Sequence, residues 1–148
     1  MGRSAEGWRA NLLTTDEQIW AQLAPGLRIA VVGLKDSGPS LDVALYLQQQ
    51  GHQIVPVTPK LIEILGQKAY PSLIDVPGRI DIIDVFRAPE RIMPHAEEAL
   101  SLREPPSVFW MQQGIRNDEA AARLAQAGIR VVQDRCLKVE WARKSQRL

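Results

Sequence analysis

The sequence has little cysteine, little net charge and no long apolar run, and each absence removes a class of protein. Its one cysteine, Cys136, excludes an internal disulfide framework and a cysteine-rich zinc site. Lys+Arg number 18 against 17 Asp+Glu, a net charge of +1. No broad field therefore exists to gather nucleic acid or an anionic membrane surface. The longest apolar runs, such as Ile29-Ala30-Val31-Val32, fall far short of the roughly 20 residues that cross a bilayer. The opening residues Met1-Gly2-Arg3-Ser4-Ala5-Glu6 carry no apolar stretch, so no secretory signal is expected. What is present is 148 residues, 45% apolar and 24% charged. That balance suits one soluble domain, and a cytoplasmic location is expected.

Two periodicities alternate along the chain. Arg28-Ile29-Ala30-Val31-Val32, Ile54-Val55-Pro56-Val57, Ile80-Asp81-Ile82-Ile83-Asp84-Val85, Val108-Phe109-Trp110-Met111 and Ile129-Arg130-Val131-Val132 read as five short buried strands. Between them, Leu41 to Gln50 carries a wide apolar helical face, with Ser40 expected to cap it and Gly51 to end it. Leu61 to Leu65 reads as a short helical turn. Pro89 suits the first position of a helix, and Pro94 suits a restart. Asn117 caps the next helix and Gly128 ends it; flanking helices are expected at Asp16 to Leu23 and from about Leu137 to Gln146. Strands alternating with helices predict an α/β fold: a three-layer, doubly wound, Rossmann-like parallel sheet of five strands. The expected order, counting strands along the chain, is 3-2-1-4-5.

An open parallel sheet binds ligands at the carboxyl ends of its strands. This rule selects the segments Gly33 to Ser40, Val57 to Lys60, Val85 to Ala88 and Met111 to Arg116. The first, Gly33-Leu34-Lys35-Asp36-Ser37-Gly38-Pro39-Ser40, joins a strand to a helix N-terminus, where main-chain amides and the helix dipole favour an anion. It does not spell G-x-G-x-x-G. The second lacks the acidic residue with which a typical NAD site binds ribose, and offers Lys60 instead. The third places Phe86 and Arg87 beside the site, and the fourth places Gln112, Gln113 and Gly114 at a strand end. His52, after Gly51, is expected to be exposed. His95 stands at a helix start with no nucleophile motif beside it, and two isolated histidines with one cysteine make no metal site. Trp8, Trp20 and Trp141 lie on the flanking segments, where a sheet edge or a homodimer contact are both open uses.

Several segments together resemble a known family. They are Ile29-Ala30-Val31-Val32-Gly33, Pro39-Ser40 with Val43 and Tyr46-Leu47, Gly51 through Lys60, Tyr70-Pro71-Ser72-Leu73, Asp81 through Arg87, Gln113-Gly114-Ile115-Arg116-Asn117 and Asp134-Arg135-Cys136-Leu137. Their ordered set, over about residues 27 to 140, resembles the small bacterial CoA-binding domain proteins of the YccU-like type. That family is related to the N-terminal domain of the succinyl-CoA synthetase alpha subunit. The resemblance implies a coenzyme A or acyl-CoA site. Gly33, Leu34, Lys35, Ser37, Gly38, Pro39 and Ser40 would hold the pyrophosphate, and Thr58 and Lys60 would lie near the ribose and its 3′-phosphate. Val85, Phe86 and Arg87 would flank adenine or pantetheine, and Gln113, Gly114 and Ile115 would lie toward the pantetheine end. Family members often have Ser-Arg-Pro-Ser where this chain has Ser37-Gly38-Pro39-Ser40, and Asn where Thr58 stands. The expectation is a one-domain receptor for a small CoA ligand, without catalysis, nucleic acid or membrane. The alternatives are a nucleotide- or NAD(P)-binding enzyme and a regulatory or interaction module with a vestigial pocket.

Overall fold

A computed structural model describes residues 6–147. Its centre is a parallel sheet of five strands: β1 (Arg28–Val32), β2 (Gln53–Val57), β5 (Ile82–Val85), β6 (Val108–Met111) and β7 (Arg130–Val132). Two more strands, β3 (Glu63–Ile64) and β4 (Gln67–Lys68), form a separate antiparallel hairpin. The helices are α1 (Asp16–Trp20), α2 (Pro39–Gln49), α3 (Ile92–Ser101), α4 (Asp118–Gln126) and α5 (Leu137–Arg147). Three short 3-10 turns, Gly7–Asn11, Leu73–Asp75 and Pro89–Arg91, complete the chain.

The fold class agrees with the sequence pattern, but the strand order does not. The sheet runs β2-β1-β5-β6-β7, which is 2-1-3-4-5 when the parallel strands are counted along the chain, rather than 3-2-1-4-5. The cause lies at the outer edge of β2. Tyr70 donates its N–H to Pro56 O at 2.9 Å and accepts from Thr58 N–H at 2.8 Å. The chain leaving the hairpin thus occupies the edge where a third strand would pair. Pro56 offers no N–H there, which further suits β2 to an edge. The chain must then cross β1 to find a free edge for β5. Residues 61–65 are likewise not a helical turn. Leu65 and Gly66 both have positive φ, +57° and +72°, the pair of left-handed residues that a tight two-residue hairpin needs.

Alternate residues of each strand face two helical layers. Ala30, Val32, Val57, Ile83, Val85 and Phe109 pack with Ile92 and Ala96 of α3 and Ala121 and Leu124 of α4. Ile29, Val31, Ile54, Ile82 and Trp110 pack with Ile19 of α1, Val43 and Leu47 of α2 and Leu137 of α5. Phe109 and Trp110 are both fully buried, one in each layer, and each such ring contributes about 1.5–3 kcal/mol by burial. Helix α1 is tied to α5 by Asp16, which meets Arg143 at 2.7 Å and Arg135, just before the helix, at 2.8 Å, and by Trp20 Nε1, which donates to the buried Glu140 at 2.9 Å. Trp20 and Trp141 are therefore used within the chain: Trp141 stands edge-on to His52, ring centres 4.3 Å apart. His52 itself is only 4% exposed, not exposed as expected, because Trp141 covers it and its Nδ1 accepts the Leu27 N–H at 3.1 Å. Pro94 starts no second helix. It sits in the first turn of α3, where the missing N–H has no intrahelical role. Among the described residues, no helix is long and apolar enough to cross a membrane.

Candidate functional site

The sheet order reverses at β1, which lies between β2 and β5. Helix α2 leaves the end of β1 into one layer and α3 leaves the end of β5 into the other, so a crevice opens between them. A cavity of about 910 Å3 fills it, at the upper end of the roughly 300–1,000 Å3 usual for ligand sites. A second cavity of about 270 Å3 adjoins the first: Gly33, Lys35, Ser37, Phe86, Arg87 and Ala88 line both.

The loop from β1 to α2 is built around two glycines. Gly33 has φ +83°, and a Cβ there would lie 2.5 Å from Phe86 O. Only glycine lets the ends of β1 and β5 come this close. Gly38, also at φ +83°, has ψ −162°, a combination essentially restricted to glycine. It precedes Pro39 at the first position of α2, so the chain turns into the helix without a side-chain cap. Ser40 does not cap the helix as expected. Its hydroxyl accepts the Lys35 N–H at 3.0 Å and so ties the loop to the helix it enters. The amides of Ser40 and Leu41 precede the first intrahelical bond, from Asp42 N–H to Gly38 O at 3.0 Å. They meet no capping side chain, and they carry the positive end of the helix dipole.

The other strand ends supply the walls. Thr58 is buried, and its hydroxyl accepts the Lys60 N–H at 3.2 Å, which holds Lys60 at the mouth. Arg87 lays its Cδ against Gly33, 3.1 Å from where a Cβ would stand. The electrostatic character comes from Lys35, Lys60, Arg87 and Arg91, all lining the large cavity with Asp36 as the single carboxylate. None of these four cations pairs with a carboxylate among the described residues, whereas Arg79, Arg116, Arg123, Arg135 and Arg143 each do. A crevice walled by unpaired cations and opening on a helix N-terminus favours a multiply charged anion.

Most residues expected from the sequence meet here. Gly33, Leu34, Lys35, Ser37, Thr58, Lys60, Phe86 and Arg87 line the large cavity, and Pro39, Ser40 and Ile115 line the small one. Gly38, Val85, Gln113 and Gly114 line neither. The Val85 side chain is wholly buried in the core beneath the site, and Gly114 N–H is engaged by Asp134 Oδ1 at 2.7 Å. Pro71, Arg91 and His95 line the large cavity and were not foreseen. Arg91 and His95 stand four residues apart, a spacing that would put them on one side of the helix expected from Pro89.

Known proteins match this chain along most of its length. A family profile described as "CoA binding domain" matches residues 27–142. YneT of Bacillus subtilis (strain 168), described as uncharacterized, is 45% identical over 117 residues, which are 78% of this chain and 85% of that protein. The solved structure of cell-free ID.343 from Thermus thermophilus is 43% identical with a TM-score of 0.81, covering 88% of this chain and 99% of that one. A hypothetical protein from Pyrococcus horikoshii OT3 is 33% identical with a TM-score of 0.81, covering 98% of both chains.

Proposed function

This chain belongs to the CoA binding domain family, and from that premise we propose that it is a receptor for coenzyme A or an acyl-CoA, without chemistry of its own. The observation that carries the reading is the cavity: four cations with no carboxylate partner among the described residues surround a crevice that opens onto the uncapped start of α2. Coenzyme A is a long ligand with a pyrophosphate and a separate 3′-phosphate, and it needs just such a distribution of positive groups. The pyrophosphate rests on the loop from Gly33 to Ser40, against the α2 amides and Lys35. Thr58 and Lys60 lie toward the ribose, where the Lys60 ammonium meets the 3′-phosphate. Phe86 and Arg87 flank the middle of the ligand. The pantetheine arm leaves through the smaller cavity past Ile115, toward Gln113 and Gly114.

The test is to purify the protein under native conditions and identify what accompanies it by mass spectrometry. Coenzyme A or an acyl-CoA at near-stoichiometric amount is the expected result. A nicotinamide dinucleotide in its place would refute the reading.

A further inference from the structure

The segments that follow β6 and β7 are stitched together by a run of hydrogen bonds. Arg135 N–H reaches Met111 O at 3.3 Å, Leu137 N–H reaches Oε1 of the buried Gln112 at 2.9 Å, and Asn117 N–H reaches Gln133 Oε1 at 2.8 Å. Between these, Asp134 takes hold of two consecutive residues. Its Oδ1 accepts the Gly114 N–H at 2.7 Å, a short bond of the kind a charged acceptor makes. Its own N–H donates to Ile115 O at 3.0 Å, while the Ile115 N–H closes on Gln112 O at 2.8 Å.

Asp134 makes this grip from a left-handed backbone, with φ +56°. Glycine adopts that region freely, whereas any side chain makes it costly, less so for Asp and Asn than for most. A glycine here would relax the backbone and lose the carboxylate. A costly conformation held in place by its surroundings points to a use, and the use lies in what is gripped. Ile115 lines the smaller cavity, together with Pro39, Phe86 and Ala88. We propose that Asp134 is a positioning residue for the arm of the bound ligand. It fixes the Gly114–Ile115 turn as a wall of the smaller cavity, so that the pantetheine arm meets a surface already ordered and binding does not have to order it. Asp134 acts through Ile115 and touches no ligand atom itself. This assignment rests on the reading of the site as a coenzyme A receptor.

The test compares coenzyme A with adenosine 3′-phosphate 5′-diphosphate by calorimetry; the second ligand has the same phosphates and no arm. Asp134→Gly keeps the left-handed backbone and removes only the carboxylate. It weakens coenzyme A about tenfold, the worth of one hydrogen bond, and leaves the armless nucleotide unchanged. Asp134→Asn keeps an acceptor and tolerates the same backbone, so it restores most of the loss. The Gly114 amide signal of the wild-type protein, which needs no variant to fold, moves when coenzyme A binds and stays with the armless nucleotide. Wild-type affinity for coenzyme A in Asp134→Gly, equal weakening of both ligands, no recovery in Asp134→Asn, or identical Gly114 shifts with the two ligands each overturn the assignment. A wild type that binds the two ligands equally also overturns it and leaves nucleotide binding standing. Failure of both ligands to bind overturns the reading of the site and the assignment with it.

Discussion

Asp84 stands in the middle of the central strand, between Val31 of β1 and Trp110 of β6. It is 0% exposed, and neither carboxyl oxygen has a hydrogen-bond partner. Burial raises its pKa well above the ordinary carboxylate range, so the folded protein holds this proton where the unfolded chain has released it. The sign follows from the proton count. Between the unfolded pKa, about 3.9, and the higher folded value, the native state binds one proton more than the unfolded state, so stability falls as pH rises. The slope from this one group is about 1.4 kcal/mol per pH unit. Asparagine has nearly the same shape and no proton to lose, and its unpaired amide costs about as much as the unpaired carboxylic acid. Asp84→Asn should therefore match the wild type near pH 4 and gain on it by about 1.4 kcal/mol for each unit above, until the folded pKa is passed. Urea unfolding of both proteins at pH 5, 6 and 7, followed by tryptophan fluorescence, measures the difference and cancels the other titrating groups. A stability difference that stays constant across this range would refute the claim that Asp84 is buried as the neutral acid.

Other expectations follow from single contacts. Lys60→Ala should weaken coenzyme A by about 1.5–3 kcal/mol, the range for a charged hydrogen bond, and leave dephospho-CoA unchanged; equal losses for the two ligands would remove the 3′-phosphate from Lys60. Gly33→Ala should destabilise the fold by about 1–3 kcal/mol or more in urea, because its methyl meets Phe86 O at 2.5 Å; a wild-type midpoint would contradict the close approach of the two strand ends. Asn117 accepts the Ala120 N–H at 3.0 Å at the start of α4, so Asn117→Ala should cost about 1 kcal/mol. Burial lowers the His52 pKa, so the unfolded chain takes up the proton first; stability should fall as pH drops below about 6.5, and a His52→Gln variant should lack that decline.

The layers of this fold were legible because each element carries its own pattern. The run from Arg28 to Val32 reads as a strand and Asn117 reads as a cap, and both are found there. The strand order was not legible, because it depends on a long-range fact: Tyr70 closes the edge of β2. The hairpin was missed because Leu65 occupies a left-handed conformation, which a leucine gives no local sign of adopting. At the site, the loop after β1 was readable from its glycines and its place between strand and helix. The sequence offers His95 only as an isolated histidine and gives Arg91 no motif; that both line the crevice depends on α3 starting at Ile92, just past the turn Pro89–Arg91. Asp84 lies in an otherwise apolar strand, and no residue type in the sequence tells a buried neutral acid from an exposed carboxylate.

The central claim is that the crevice at the reversal of strand order holds coenzyme A through its phosphates. Calorimetric titration of coenzyme A into ligand-free protein, alongside NAD and NADP, tests it most directly. One molecule bound per chain, more tightly than either nicotinamide dinucleotide and more weakly as salt is raised, is the expected result. No heat of binding for coenzyme A, with the protein shown to be folded, would contradict it.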